Sequence, residues 1–257
     1  MKISSFRDRK RWDHHFVSLT AYSYPVARIL DDLALDFILV GDSLGMVELG
    51  HSDTTQVTLE DMLSHTRAVA RGAKKTPVVS DLPYKTYETP ETAIAAARAL
   101  VEAGAGAIKL EGGDSVLEQV RELTQQGISV MGHLGMLPQR IKEEGGKYRI
   151  KGRESAEAED LKRQALDLEE AGAQAIVLEL VSPPLAKEIS ERLEIPTIGI
   201  GSGRGCDGQV LVFHDLVGLS PWFKPAFAKT RADLAGEITR AVNEYIAETR
   251  GESLSED

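Results

Sequence analysis

The chain has 257 residues, of which 42% are hydrophobic and 27% are charged, and its formal net charge is −10. This composition is that of a globular protein and excludes a disordered or fibrous chain. The acidic balance argues against nucleic acid or an anionic membrane as the main partner, because both are bound by basic surfaces. No apolar run approaches the roughly 18 residues of a membrane span, and no apolar segment of a secretory signal follows the basic N-terminus. The single cysteine, Cys206, excludes an internal disulfide and fits a reducing cytoplasm.

Short apolar runs rich in β-branched residues alternate along the chain with segments of helical spacing. We predict strands at 16–21, 36–40, 77–80, 107–110, 128–132, 175–180, 196–200 and 210–214. Thr58 and Thr89 indicate helix starts, and Gly104 and Gly172 indicate helix ends. Strands separated mainly by helices predict a parallel sheet, because parallel neighbours need crossover connections.

Eight such strand–helix units predict an α/β fold, a closed (β/α)₈ TIM barrel that spans residues 1–257 as a single domain. An open doubly wound sheet is the alternative. The segment from about residue 249 onward is polar and has little to bury, so we expect it to fray.

An internal repeat relates two of the predicted strands. Residues 102–111 and 170–179 share the pattern Glu-Ala-Gly-Ala-x-Ala-Ile-x-Leu-Glu and begin 68 residues apart, the length of two βαβ steps. Equivalent packing explains the small residues but not a carboxylate at the end of an apolar strand. Glu111 and Glu179 are therefore expected at equivalent depths near two strand C-termini. Val177 stands where the other copy has Lys109, so Glu179 has no cation in its own strand.

The C-terminal ends of the strands carry the active site in essentially every characterised TIM-barrel enzyme. In this sequence those ends are polar, with Asp42, Ser43, Asp81, Lys109, Glu111, His133 and Glu179. Lys109 and Glu111 share one strand face, and Ile108 and Leu110 share the other. The apolar pair should face the helices, which directs Lys109 and Glu111 into the barrel mouth. A buried ammonium group is unfavourable unless paired, so Lys109 is expected to meet a protein or substrate carboxylate.

Three of these carboxylates, at Asp42, Asp81 and Glu111, end successive strands and should converge on one mouth. They would repel one another unless a cation lay between them. Oxygen ligands without cysteine or paired histidine favour a hard cation such as Mg²⁺. Taken singly, the residues also have structural interpretations: the aspartates as turn formers, Lys109 as a side chain extending to the rim, and His133 as a hydrogen-bonded core residue.

The glycine-rich stretch 199–205 follows the seventh predicted strand, where barrels often bind phosphate. No Walker lysine follows it, so we interpret it as a tight loop lining the mouth. Nothing in the sequence positions a base beside Cys206, which disfavours a catalytic thiol.

Five sequence motifs occur in the order and at the separations found in a known family. They are Val-Gly-Asp-Ser-Leu-Gly-Met at 40–46, Ser-Asp-Leu-Pro at 80–83, Ile-Lys-Leu-Glu-Gly-Gly at 108–113, Gly-His-Leu-Gly at 132–135 and Asp-Gly-Gln at 207–209. From about residue 16 to residue 227 the chain resembles the 3-methyl-2-oxobutanoate hydroxymethyltransferase (ketopantoate hydroxymethyltransferase) family. The resemblance implies a (β/α)₈ barrel of the phosphoenolpyruvate/pyruvate type, commonly assembled as a homodecamer.

Members of that family transfer a hydroxymethyl group from 5,10-methylenetetrahydrofolate to 3-methyl-2-oxobutanoate. The product is 2-dehydropantoate, and the step leads toward pantothenate, the coenzyme A precursor. The resemblance therefore implies small-molecule substrates, a cytoplasmic enzyme and a reaction through a Mg²⁺-stabilised enolate.

The resemblance also implies roles for the polar strand ends. Asp42, Asp81 and Glu111 are implied to bind one Mg²⁺ per subunit. Glu179 is implied to be the proton acceptor, and His133 is a possible ligand contact. The groups implied to hold the oxo acid are Asp42, Ser43, Asp81 and Lys109.

The chain departs from the family pattern at a few positions near the predicted mouth. Ser23 stands where aspartate is usual, Met136 and Leu137 replace the usual residues, and the loop around Lys147 is one residue longer. None of these positions is an implied metal ligand or proton acceptor, so the departures bear on folate affinity and loop closure.

Two other functions are alternatives. A Mg²⁺-dependent carbon–carbon lyase or aldolase could use the same barrel and enolate. Such lyases often carry a cysteine on a mobile loop, whereas the one cysteine of this chain, Cys206, is in the glycine-rich stretch, which counts against this alternative. A non-catalytic binding or scaffold barrel would be expected to lack the polar strand ends, all of which are present.

Overall fold

The computed structural model describes residues 6–11, 14–143, 145–222 and 225–251. The described residues form two compact units, which divide between residues 210 and 211. None of the helices in these described ranges has the length and apolar character to cross a membrane.

The first unit is a closed barrel of parallel strands that follow one another in sequence order, which confirms the predicted fold. The barrel closes where the Phe16 backbone N–H donates to the Asp207 carbonyl oxygen at 2.9 Å. The strands are β1 (Phe16–Thr20), β2 (Phe37–Val40), β3 (Val78–Asp81), β4 (Ala107–Glu111), β5 (Val130–Gly135), β6 (Ala175–Glu179), β7 (Thr197–Ile200) and β8 (Gly208–Leu211).

The helices of this unit begin and end largely where the sequence predicts. Thr58 and Thr89 each form a capping box at a helix start, and Gly104 and Gly172 follow helix ends with φ of +113° and +104°. The helices are α1 (Phe6–Arg11), α2 (Tyr24–Leu30), α3 (Leu44–Val47), α4 (Leu59–Gly72), α5 (Pro90–Glu102), α6 (Leu117–Gln125), α7 (Ser155–Glu170) and α8 (Pro183–Arg192).

Alternate strand residues fill the barrel interior, and most of this core is apolar. Its members from the strands are Phe16, Phe37, Leu39, Val79, Ala107, Met131, Ala175, Val177, Ile198 and Val210. Phe6 of α1 joins them, with its ring centroid 4.8 Å from that of Phe16. Because Ala107 is part of this core, Lys109 and Glu111 on the same face of β4 also point into the barrel, as predicted.

Two strands, the fifth and the eighth, differ from their predicted bounds by two residues or more at each end. The predicted eighth strand, 210–214, is correct for residues 210 and 211 and wrong beyond them: β8 covers Gly208–Leu211, and Phe213–Val217 forms a helix, α9. Close packing accounts for the early start, since a Cβ at Gly208 would lie 2.5 Å from the carbonyl oxygen of Phe16. The fifth strand extends past the predicted 128–132 because residues 133–135 pair with β6.

The second unit contains α9 and the long helix α10 (Leu234–Arg250). Asp233 caps α10 by accepting the Gly236 N–H. The helix continues through residues 249 and 250, where fraying was expected, and residues 252–257 lie outside the described ranges. Ile238, Val242 and Tyr245 are exposed apolar residues along α10.

Asp31 fixes the loop before β3 to the end of α2. Its buried carboxylate accepts the backbone N–H groups of Lys74, Lys75 and Thr76 at 2.8–2.9 Å. Burial acts to raise the pKa of Asp31, but these hydrogen bonds outweigh it and lower the pKa to about 2.

We expect Asp31→Ala to lower the free energy of unfolding at neutral pH by about 2 kcal/mol, because buried N–H groups lose their acceptor. The carboxylate stabilises the fold only while ionised, so the difference should shrink as the pH falls from about 4 toward 2. Urea titrations at several pH values measure this. Asp32→Ala, at the half-exposed neighbour, is the control; an equal loss in both variants would contradict the interpretation.

Candidate active site

The barrel brings the predicted site residues together at the C-terminal ends of neighbouring strands. Asp81 lies opposite Lys109 in the β3–β4 register, and Glu111 lies opposite His133 in the β4–β5 register. These four residues are buried, and Glu179 at the end of β6 is largely buried. The site is thus a connected polar layer above the apolar core.

Lys109 is paired inside the barrel, as the sequence predicts. Its Nζ lies 3.0 Å from Asp81 Oδ2 and 3.3 Å from His133 Nδ1. Burial acts to lower the pKa of Lys109, but the carboxylates of Asp81, Glu111 and Asp42 outweigh it and raise the pKa. Lys109 therefore stays cationic beneath the mouth.

His133 lies between two glutamates of the site. Its Nδ1 is 3.4 Å from Glu111 Oε1, and its Nε2 is 3.3 Å from Glu179 Oε2. Burial and Lys109 act to lower the pKa of His133, but the two carboxylates outweigh them and raise it to about 9. The strand of Glu179 carries no cation of its own, and the basic group beside its carboxylate is His133 of the neighbouring strand.

Asp42, Asp81 and Glu111 form the candidate metal-binding side of the site. The Asp42 backbone N–H donates to Asp81 Oδ2 at 3.1 Å. Burial raises the pKa of Asp42 well above its usual value, and the carboxylates of Asp81 and Glu111 raise it further. Like charges at these three positions thus oppose full ionisation, which a bound cation would relieve.

The buried oxygen atoms of these carboxylates fit a hard cation. Asp81 Oδ1 accepts no hydrogen bond from the described residues, and neither does Glu111 Oε1, which lies 3.4 Å from His133 Nδ1. Carboxylate oxygens of this kind are the donors that Mg²⁺ prefers. Over the same ranges, no three histidine, cysteine, aspartate or glutamate side chains already enclose a metal position. The magnesium site at Asp42, Asp81 and Glu111 therefore stays a prediction.

Gln139 joins two of these carboxylates and was missed by the sequence analysis. Its Nε2 donates to Asp42 Oδ2 at 2.7 Å and to the Leu82 carbonyl oxygen at 2.9 Å. Its backbone N–H donates to Glu111 Oε2 at 3.1 Å. The Tyr87 hydroxyl donates to Gln139 Oε1, which directs the amide nitrogen toward Asp42. Gln139 therefore holds Asp42 and Glu111 in fixed orientations.

We expect Gln139→Leu to weaken Mg²⁺ binding by about 10- to 100-fold, as is typical when a group that orients a metal ligand is lost. Isothermal titration with Mg²⁺ measures the affinity. Gln119→Leu is a matched control, because Gln119 is also buried but donates only to the backbone carbonyls of Tyr87 and Glu88. Equal losses in both variants would show that the effect is general destabilisation.

Two tyrosines complete the surroundings of the site. The hydroxyls of Tyr22 and Ser43 lie 2.8 Å apart, and burial raises the pKa of Tyr22, so this phenol stays neutral. Tyr148 is about half exposed, and burial and the carboxylates of Glu179 and Asp42 raise its pKa to about 12. Tyr148 follows Lys147 in the loop whose length departs from the family pattern, and its role was not anticipated from the sequence.

Cys206 lies buried at the end of the glycine-rich stretch. Its thiol is buried, and burial raises its pKa, which disfavours the thiolate. The glycine-rich stretch before it makes tight turns, with φ of +67° at Gly201 and +79° at Gly203. These observations agree with the predicted tight loop, and the buried thiol argues against a catalytic role for Cys206.

Sequence comparison relates nearly the whole chain to one family. Residues 1–256 match the family described as ketopantoate hydroxymethyltransferase. The chain is 51% identical over 249 residues to 3-methyl-2-oxobutanoate hydroxymethyltransferase of Chloroflexus aurantiacus, which covers 96% of this chain and 87% of that protein. It is 50% identical over 249 residues to the Thermus thermophilus protein of the same name, covering 96% and 94%.

Solved structures with the same fold are more distant in sequence. Phosphonopyruvate hydrolase in complex with oxalate and Mg⁺⁺ superposes with a TM-score of 0.66 at 13% identity, covering 100% of this chain and 90% of that one. A 2,3-dimethylmalate lyase of the PEP mutase/isocitrate lyase superfamily gives a TM-score of 0.65 at 16% identity, covering 100% and 92%. At these identities the similarity shows the fold alone, and it agrees with the predicted (β/α)₈ barrel.

Proposed function

Because the chain belongs to the ketopantoate hydroxymethyltransferase family, we propose that the polar strand ends described above form the active site for the family's reaction. The enzyme transfers a hydroxymethyl group to 3-methyl-2-oxobutanoate in pantothenate biosynthesis. One observation carries the assignment of the site: Asp81, Lys109, His133 and Glu179 are joined by successive contacts of 3.0, 3.3 and 3.3 Å. This series connects the groups that would hold the oxo acid with the group that would take its proton.

The oxo acid presents a carboxylate and an adjacent ketone, both of which need positive charge or hydrogen-bond donors. Lys109 provides a fixed cation whose charge is maintained by Asp81. Ser43 provides a hydroxyl that Tyr22 holds in place. Such preorganised groups stabilise the negative charge that develops on the ketone oxygen when the neighbouring carbon loses its proton.

Asp42, Asp81 and Glu111 would hold a Mg²⁺ ion, one per subunit. When bound, the ion supplies a Lewis acid that polarises the ketone. The buried oxygens of Asp81 and Glu111 that accept no hydrogen bond from the described residues support this assignment. Gln139 would keep Asp42 and Glu111 directed toward the site.

Glu179 is the proposed general base. It would take the C3 proton of the oxo acid, leaving an enolate whose C3 attacks the methylene carbon of 5,10-methylenetetrahydrofolate and breaks the bond from that carbon to one folate nitrogen. Water would then replace the second folate nitrogen on the same carbon, which supplies the hydroxyl group. Tetrahydrofolate leaves with both nitrogens protonated, one by the proton taken from C3 and one by a proton of the water. His133 orients the Glu179 carboxylate through Nε2 at 3.3 Å while Nδ1 faces Glu111. A base must lie within hydrogen-bond reach of the proton it removes, and this contact restricts Glu179 to the mouth.

A turnover assay tests the proposal directly. We expect 2-dehydropantoate to form from 3-methyl-2-oxobutanoate and 5,10-methylenetetrahydrofolate only when a divalent cation is present. Product formation at the same rate in excess EDTA would overturn the metal assignment. Cleavage of a carbon–carbon bond without consumption of the folate would favour the lyase alternative.

We also propose that the enzyme is a homodecamer and acts in the cytoplasm. Ile238, Val242 and Tyr245 support chain–chain contact, because they are 47%, 50% and 68% exposed and recur at helical spacing on α10. Light scattering should give ten times the 28.0 kDa of one chain. Val242→Asp should lower that mass, since it places a charge on the apolar face; a monomer mass for the unmodified protein would contradict the proposal.

A further inference from the structure

The backbone directly after Glu179 has an unusual conformation. Leu180 has a φ of +47°, in the left-handed region that residues with a side chain seldom adopt. Over the described ranges, Lys85 is the other non-glycine residue with positive φ. Such strain persists only where the surroundings enforce it, and it concentrates at functional sites.

Backbone hydrogen bonds from three directions enforce the conformation of Leu180. Its N–H donates to the Ile200 carbonyl oxygen at the end of β7, at 2.9 Å. Its carbonyl oxygen accepts the Lys151 N–H at 2.7 Å, and the carbonyl oxygen of Glu179 accepts the Met136 N–H at 2.8 Å. The peptide groups on both sides of Leu180 are therefore fixed by other segments of the chain.

Two further residues restrict the same turn. Ser202 is fully buried, and its Oγ donates to the Leu178 carbonyl oxygen at 2.7 Å and accepts the Val181 N–H at 2.9 Å. One hydroxyl thus bridges the backbone before and after the strained residue. On the β5 side, a Cβ at Gly135 would lie 2.2 Å from the carbonyl oxygen of Glu179, so only glycine permits this approach.

We propose that Leu180, Ser202 and Gly135 are positioning residues that hold the Glu179 carboxylate at the barrel mouth. The inference rests on the proposed role of Glu179 as the base. The direction of the Glu179 side chain depends on the conformation of the Glu179 backbone. The hydrogen bonds described above fix the peptide group between Glu179 and Leu180. A rigid backbone keeps the carboxylate beside His133 and within reach of the substrate proton, where small displacements reduce the rate strongly.

The test is exchange of the C3 proton of 3-methyl-2-oxobutanoate for deuterium, with Mg²⁺ and without folate. Ser202→Ala should lower the rate at saturating oxo acid about 10- to 100-fold, with an unchanged KM for the oxo acid. Ser190→Ala is the matched control. Ser190 is also buried, and its hydroxyl bonds to the Ala186 carbonyl oxygen and the Thr197 hydroxyl, at the opposite end of β7.

A second pair of variants tests the left-handed backbone itself. Asparagine adopts positive φ comparatively easily, so Leu180→Asn should retain the exchange rate. A β-branched residue opposes positive φ, so Leu180→Val should lower the exchange rate about tenfold. Lys85→Val puts a β-branched side chain at the other described non-glycine residue with positive φ. This variant should exchange the C3 proton at the rate of the unmodified enzyme.

The outcomes separate this inference from the proposed function. Equal exchange rates for Ser202→Ala and Ser190→Ala, or for Leu180→Asn and Leu180→Val, would overturn the positioning role. Exchange at the unmodified rate in Glu179→Gln would instead overturn the base assignment on which it rests. A slow Glu179→Gln together with a slow Ser202→Ala and a normal KM supports both.

Discussion

Replacing Glu179 by glutamine should slow exchange of the C3 proton of 3-methyl-2-oxobutanoate by about 10²–10⁴-fold, the range of general-base catalysis. Glutamine keeps the size of the side chain and can still place an oxygen beside His133 Nε2, but it cannot take a proton. Following deuterium incorporation by NMR without folate isolates this step from hydroxymethyl transfer.

Binding measurements show whether the slower exchange in Glu179→Gln comes from loss of the base or from weaker binding of Mg²⁺ or the oxo acid. Mg²⁺ and oxo-acid affinities of Glu179→Gln should stay close to those of the unmodified enzyme, because the proposed ligands are on other strands. Glu169→Gln is the matched control, since Glu169 and Glu179 side chains are both 14% exposed, but Glu169 is at the end of α7 and accepts backbone N–H groups. If Glu179→Gln exchanges as fast as Glu169→Gln, the base is another residue.

Removing the carboxylate of Asp81 should have an effect of similar size through the metal. Asp81 Oδ1 is a proposed ligand, and Asp81 Oδ2 holds Lys109 and the Asp42 N–H. Loss of Lewis-acid stabilisation amounts to several kcal/mol, so turnover of Asp81→Ala should fall by at least about 10³-fold. Titration with Mn²⁺ followed by electron paramagnetic resonance should show weakened binding.

Asp81→Ala also leaves Lys109 buried without its nearest partner, which lowers the free energy of unfolding. This loss of stability must be distinguished from the loss of metal binding. Asp31→Ala also removes a buried, hydrogen-bonded carboxylate, but away from the mouth, and is the control for lost stability. Asp81→Asn keeps the volume and removes only the charge. Unchanged Mn²⁺ affinity in a folded Asp81→Asn would contradict the proposed metal site.

The sequence predicts the barrel and much of the site because those features depend on local periodicity. Side chains alternate along a strand, so the order Ala107, Lys109, Glu111 on one face of β4 could be read directly. Helix punctuation at Thr58 and Thr89 is equally local, and it appears in the structure as predicted. The family motifs add implied roles for the strand-end residues but no distances between them.

Other features were decided by contacts between distant parts of the chain. The apolar run at 210–213 looks like a strand, but packing of Gly208 against Phe16 places β8 two residues earlier. Gln139 meets Asp42 across 97 residues of sequence, and no local pattern predicts that pairing.

Sequence by itself therefore determined which side chains end the strands and which face they occupy, since both follow from a period of two residues. Only the tertiary structure decided that His133 reaches two glutamates and that Leu180 takes a left-handed backbone. The reason is physical: those arrangements depend on the pairing of β4, β5, β6 and β7 side by side, which brings together residues that are distant in the sequence.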